Sequence, residues 1–321
     1  MVVADRLLQR FSDELAAGLD DVDWIFCDPT DDVALAAALS GAQVLVGSRL
    51  PESVAAHGQD LELVHAAGAG IDGIARDALP GGVVIANVHE HGTSIAEHVV
   101  MAMLALSRDL RRVDADLRQG IWTNPAVDSS APLASALPGR VVGLVGYGHI
   151  GQAVADMARL LGMHVVAIRQ RPELSADDAR LDFIGGIADL DEVAARADFL
   201  VVVVPLDEHT RGLINVDVLA AMRPGAFLIN VARGPVVDED ALHDALITRR
   251  IAGAALDVWY APPGRERAGS PPATRDFGAL DNVLLTPHVS GVTDDTFRRR
   301  ARWIAQNLQR FQAGENVHNI V

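Results

Sequence analysis

The chain has 321 residues, half of them apolar, enough for two domains of ordinary size with full cores and no help from metals or disulfides. Its formal net charge of −16 repels nucleic acid and anionic lipid, so neither is expected as a partner, and an anionic ligand must be drawn by a local arginine cluster. Cys27 is the only cysteine and every basic residue is arginine. This excludes a disulfide framework or cysteine-rich zinc site within one chain, Schiff-base chemistry and a P-loop lysine.

Short apolar runs closed by turn residues open the chain: Trp24-Ile25-Phe26, Val44–Gly47, Leu63–Ala66 and Val83–Ala86. Alanine-rich segments of helical spacing, such as Asp32–Ser40, lie between them. The alternation predicts an open parallel sheet with crossover helices. A long helix is expected from about Thr93 to Val113, with Ser94 as a cap. The polar, proline-bearing stretch Gly120–Gly139 is too long for an ordinary loop and reads as an arm or dimer contact. A second series follows, with strands at Val141–Val145, His164–Ile168, Phe199–Val204, Ala226–Val231, Ala252–Asp257 and Val283–Thr286, the count of a complete Rossmann domain. A helix over Asp294–Ala313 ends it. No stretch approaches the ~20 apolar residues of a membrane span, and Met1–Arg10 lacks the apolar run of a signal peptide, so a cytoplasmic location is expected.

Gly146-Tyr147-Gly148-His149-Ile150-Gly151 follows a predicted strand and opens a helix, the context that makes a glycine fingerprint a dinucleotide site. Gly146 allows the turn, Gly148 admits the pyrophosphate, Gly151 lets helix and strand pack, and the helix start at His149 and Ile150 offers N–H groups to phosphate. The second strand ends in Ile168-Arg169-Gln170-Arg171, where an acid would read the free ribose of NAD. Arg169 and Arg171 instead suit a 2′-phosphate, so NADP is expected ahead of NAD.

These motifs, with Pro205-Leu206, Thr210–Ile214, Asn230–Asp238, Leu256–Trp259 and Thr286–Thr293, resemble the D-isomer-specific 2-hydroxyacid dehydrogenase family over nearly the whole chain. The resemblance implies an α/β protein with a Rossmann dinucleotide-binding domain (98–288) and a smaller flavodoxin-like substrate domain (1–97 and 289–321). It implies reduction of a small 2-keto acid to a D-2-hydroxy acid and the reverse, in a homodimer. Arg233 would grip the substrate carboxylate and the reacting oxygen, and His288 would be the general acid/base. Ala67-Gly68-Ala69-Gly70-Ile71-Asp72 resembles the family's substrate loop, giving Ala69 and Gly70 as carboxylate contacts. Asp257 would lie near the nicotinamide carboxamide, with Pro205, Thr210, Val231, Ala232 and Gly291 also on the cofactor side.

One departure stands out. The family usually carries a glutamate about five positions after this aspartate, paired with the histidine; here that position is Pro262, and the nearest carboxylate is Glu266. Formate- or phosphite-type oxyanion oxidation, and a dinucleotide-sensing interaction protein, are therefore kept as alternatives. His89, His91, Arg49 and Trp259 are further polar or aromatic candidates near the substrate.

Overall fold

A computed structural model describes residues 1–261 and 272–321. It divides into two compact units, one of residues 1–91 and 292–321, the other of residues 92–291. The boundary expected at 97/98 falls inside a helix, Gly92–Ser107, that belongs wholly to the second unit.

The first unit contains β1 (Val2–Val3), β2 (Ile25–Phe26), β3 (Val44–Val46), β4 (Leu63–His65) and β5 (Val84–Ala86). They form a parallel sheet of order β2-β1-β3-β4-β5, the flavodoxin-like arrangement. Side chains alternate between its faces. Val3, Val46 and Leu63 pack with Phe297, Ile304 and Leu308 of the Asp294–Gln312 helix, whereas Val2, Leu45 and Val64 pack with Leu35 and Leu39 of Asp32–Leu39. Both helices start on a side-chain cap: Thr293 accepts from Thr296 N–H and Asp31 from Ala34 N–H. The two-residue β1, too short to read from alternation, is the strand the sequence did not reveal in this unit.

His65 is wholly buried at the end of β4, its Nδ1 3.0 Å from Ala66 O and its Nε2 2.9 Å from Asn307 Nδ2. Those partners suit a neutral ring that donates from Nδ1 and accepts at Nε2. Burial pushes its pKa down to about 4. In the unfolded chain the histidine protonates near pH ~6.5, so the unfolded state binds the extra proton between pH ~6.5 and about 4. The stability this residue contributes is present above pH ~6.5 and is lost as pH falls through that window, by roughly 3 kcal/mol in full. Urea unfolding at pH 7.5 and 4.5 is expected to show a smaller acid loss in His65→Asn than in the wild type; equal losses would count against this assignment.

The second unit holds β6 (Val141–Val145), β7 (His164–Ile168), β8 (Phe183–Gly185), β9 (Phe199–Val202), β10 (Phe227–Asn230), β11 (Gly253–Leu256) and β12 (Val283–Leu285). All pair in parallel in the order β8-β7-β6-β9-β10-β11-β12. The order reverses between β6 and β9, the switch point where open α/β sheets bind ligands beyond their carboxyl ends. The near-continuous apolar runs of β6, β7 and β9 follow from burial on both faces. Six strands were expected; the seventh, β8, is a three-residue edge strand.

The expected helix from Thr93 to Val113 is broken in two. Gly92–Ser107 ends before Asp109, which takes a left-handed φ of 48°, and Leu110–Arg118 follows. Aspartate is among the few non-glycine residues that tolerate this conformation, and its carboxylate pairs with Arg112. Ser94 lies inside the first helix, not at its cap. Among the described residues no helix is long and apolar enough to cross a membrane.

Candidate functional site

The turn after β6 is built for a phosphate. Gly146 has φ +105°, and a Cβ there would meet Val203 O at 2.9 Å; at Gly151 a Cβ would meet Gly146 O at 2.5 Å. Both positions therefore exclude a side chain, which is what closes the turn against the His149–Leu160 helix. At Gly148, the N-cap, a Cβ would find nothing within 4 Å, so the backbone there is open to approach, and no side chain caps the helix. Bare glycine at an uncapped helix start fits a dinucleotide pyrophosphate. His149 and Ile150 form the first turn of that helix.

Beyond β7, Arg169 is half-buried and its Nη1 donates to Ser175 Oγ, while Arg171 is exposed. The nearby acid Asp178 is committed elsewhere: it accepts from Tyr147 OH at 2.8 Å and pairs with Arg180 at 2.6 Å. The Arg180 guanidinium holds the Asp178 carboxyl well below its usual range, while burial, and after it the bond to Asp178, pushes the Tyr147 phenol up. This network, which sequence reading missed, ties the tyrosine inside the fingerprint to the loop carrying the arginines. After β9, Thr210 Oγ1 donates to Pro205 O at 2.7 Å, and Asp207 accepts from the N–H groups of His209 and Thr210.

At the end of β10, buried Asn230 folds the chain back on itself. Its Nδ2 donates to Arg233 O at 3.0 Å and its Oδ1 accepts from Ala232 N–H at 3.0 Å. Val231 and Ala232 are buried in that turn, and Arg233 leaves it half-buried, with Nη1 donating to Ala232 O at 2.8 Å. A Cβ on Gly234 would lie 2.3 Å from the Trp259 carbonyl carbon, so glycine is what lets this turn meet the chain leaving β11.

Asp257, at the end of β11, is buried and holds the turn after β12. Its Oδ1 accepts from Thr286 Oγ1 at 2.6 Å and Val289 N–H at 2.8 Å, and its Oδ2 accepts from Ser290 N–H at 2.8 Å. Trp259 Nε1 donates to Thr286 O at 2.9 Å. His288 sits between these anchors, exposed, at φ +58°, a conformation that costs a non-glycine residue about 1–2 kcal/mol. His98 Nε2 lies 3.4 Å from Thr286 Oγ1, and burial lowers its pKa although Asp257 opposes this. Gly291 closes the turn and the unit. The carboxylate thus has three donors, leaving one of its roughly four acceptor positions open. Pro262 and Glu266 lie outside the described residues.

In the first unit, the loop after β4 turns its carbonyls inward: Gly68 O accepts from Val88 N–H at 3.4 Å and Ala69 O from Asn87 Nδ2 at 3.0 Å. Among the described residues the N–H groups of Gly68, Ala69, Gly70 and Ile71 have no hydrogen-bond acceptor. Arg49 is spent on Asp32 at 2.6 Å and Pro29 O at 2.9 Å, while the His89 and His91 rings lie 6.5 Å apart in this unit.

The strand order and glycine turn define the second unit as a Rossmann-type dinucleotide-binding domain. Residues 100–290 match the NAD binding domain of the D-isomer specific 2-hydroxyacid dehydrogenases, and the chain belongs to this family. It is 33% identical over 327 residues to a D-3-phosphoglycerate dehydrogenase of Mycobacterium leprae, covering 100% of this chain but 58% of that protein; the chain thus spans little more than half of that relative. A hydroxypyruvate reductase of Thermotoga maritima is 32% identical, over 75% of this chain and 74% of its own. A solved D-isomer specific 2-hydroxyacid dehydrogenase of Xanthobacter autotrophicus, in complex with NADPH and MES, is 29% identical with a TM-score of 0.80, over 100% of this chain and 97% of that one.

Proposed function

We propose that the protein is an oxidoreductase that reduces a small 2-keto acid to the D-2-hydroxy acid with NADPH, and runs the reverse reaction. The observation that carries this reading is the pair of built turns after β10 and β12, the two strands that flank β11: one is made by Asn230 to present Arg233, the other is clamped by Asp257 at the end of β11 to present His288.

The fingerprint turn would hold the pyrophosphate, and Pro205, Thr210, Val231, Ala232 and Gly291 would line the same cofactor side. When bound, the reduced nicotinamide supplies a hydride for the carbonyl carbon. Arg233 binds the carboxylate and the carbonyl oxygen, where negative charge grows as the carbonyl is reduced. Protonated His288 delivers its proton to that oxygen, so hydride and proton together complete the hydroxy acid; the neutral ring takes the proton back in oxidation. The open acceptor position of Asp257 fits a donor such as the carboxamide N–H. Assay of purified protein with either reduced cofactor against glyoxylate, hydroxypyruvate and pyruvate tests the reading. Turnover only in oxidation of formate or phosphite supports the oxyanion alternative that Pro262 raises, and binding of dinucleotide without turnover supports a sensor.

Cofactor choice rests on Arg169 and Arg171. Each charge-assisted contact to a 2′-phosphate is worth roughly 1.5–3 kcal/mol. Fluorescence titration is expected to give a lower Kd for NADPH than for NADH, and equal affinities would contradict it. The proposed homodimer places its interface on the Gly92–Ser107 helix and the 120–139 arm, where Met101, Leu104, Trp122, Val127 and Leu133 expose apolar surface. Sedimentation at micromolar concentration is expected to give a dimer; a monomer removes this assignment.

A further inference from the structure

His98 is a polar side chain on the core-facing stripe of the Gly92–Ser107 helix. Ile95, Val99, Ala102 and Met103 on that stripe are buried, and His98 falls in step with them. A half-buried imidazole at such a position needs a polar partner. It finds one beyond the end of β12: its Nε2 lies 3.4 Å from Thr286 Oγ1, its only hydrogen-bond partner among the described residues.

The backbone of Thr286 is already fixed. Its carbonyl accepts from Trp259 Nε1 at 2.9 Å, and its N–H donates to Leu256 O at 3.0 Å. Only the hydroxyl is left to turn, and it has one proton. Asp257 Oδ1 lies 2.6 Å away, and a carboxylate can only accept, so the proton points there. The side of Oγ1 that faces His98 therefore carries lone pairs. A bare imidazole nitrogen would repel them, whereas an Nε2–H donates to them. Burial lowers the His98 pKa although Asp257 opposes this, so at pH 8 the ring is neutral and has a single N–H. The contact requires that N–H on Nε2. The result is a directed chain: His98 donates to Thr286, Thr286 donates to Asp257, and Asp257 also accepts from the Val289 and Ser290 N–H groups of the turn that carries His288. Donors in series polarise one another, so the head of the chain strengthens the short bond at its end.

We propose that His98 is a positioning residue for the reaction: it acts through Thr286 and Asp257, by fixing the turn that presents His288. The kinetic consequence rests on the reductase reading; the place of the proton and the order of the turn do not.

The test combines NMR of histidine-labelled protein at pH 8 with steady-state reduction of glyoxylate, for wild type, His98→Gln, His98→Leu, Thr286→Val and the double variant His98→Leu/Thr286→Val. In wild type the long-range proton–nitrogen correlations of His98 are expected to show a neutral ring with its proton on Nε2. His98→Leu is expected to shift the His288 ring signals and to lower kcat about threefold, with KM and NADPH affinity within about twofold. His98→Gln, which carries an NH2 group at the reach of Nε2, is expected to restore both the signals and the rate. The double variant should be no slower than Thr286→Val alone, because His98 acts through that hydroxyl. A His98 ring with its proton on Nδ1 would overturn the proposal, and this measurement on wild type decides the matter should leucine disturb folding. Unmoved His288 signals in a folded His98→Leu protein, or losses that multiply in the double variant, would overturn it as well. If wild type reduces no 2-keto acid while the His288 signals still respond to leucine and recover with glutamine, the reductase reading falls and the positioning role stands.

Discussion

Arg233→Ala is expected to lower kcat/KM for any 2-keto acid by roughly 10²–10³, the usual loss when a charged donor to the developing oxyanion is removed. NADPH affinity should change little. The separation follows from how the residue is held. Asn230 fastens the turn through its contacts with Arg233 O and Ala232 N–H, both backbone atoms, so the turn survives loss of the side chain. The guanidinium is half-buried, and its bond to Ala232 O at 2.8 Å goes to the backbone of its own turn. Arg233→Lys should recover only part of the rate, because an ammonium cannot reproduce the forked geometry that binds a carboxylate and a carbonyl oxygen together. Steady-state kinetics with a cofactor titration on each variant decides the matter. A fully active Arg233→Ala protein would remove Arg233 from the site.

The fold was legible where pattern and length agreed. The long buried runs of β6, β7 and β9 read directly as parallel strands, and the glycine fingerprint located the switch point before any coordinates. Elements of two or three residues, β1 and β8, left too little periodicity to see. The break at Asp109 was hidden because apolar spacing continues across it; only a backbone angle reveals it. In the candidate site the motifs named Arg233, His288 and Asp257, but not what supports them. Asn230 and Thr286 lie inside those motifs, and their polar side chains at strand ends are the signal that a turn there needs an internal partner. The loop with Pro262 and Glu266, where the sequence departs from the family pattern, lies outside the described residues.

Asp257→Asn tests whether this aspartate acts on the cofactor or on the turn that presents His288. The carboxylate accepts three hydrogen bonds from one five-residue stretch, through Thr286 Oγ1, Val289 N–H and Ser290 N–H. An asparagine keeps the shape but replaces one oxygen by an NH2 group. Whichever way the amide is turned, a donor then faces a backbone donor, buried at Ser290 and part-buried at Val289, at a cost of about 1–3 kcal/mol for the unsatisfied group. The same contacts hold His288 at its left-handed φ of +58°, so weakening them lets the turn relax toward ordinary backbone angles and carries the imidazole away from its working position. The expected result is a Tm lower by about 5 °C and a kcat lower by at least about tenfold, since a small misplacement of a proton donor is costly in rate. Thr286→Val, which removes one donor and leaves both backbone bonds, should fall between wild type and Asp257→Asn on both scales. A role confined to the carboxamide predicts a different pattern, in which NADPH affinity falls and thermal stability does not. If Asp257→Asn unfolds at the wild-type temperature and loses only cofactor affinity, the turn is held by Trp259 and its own backbone, and the clamp assigned to Asp257 is wrong.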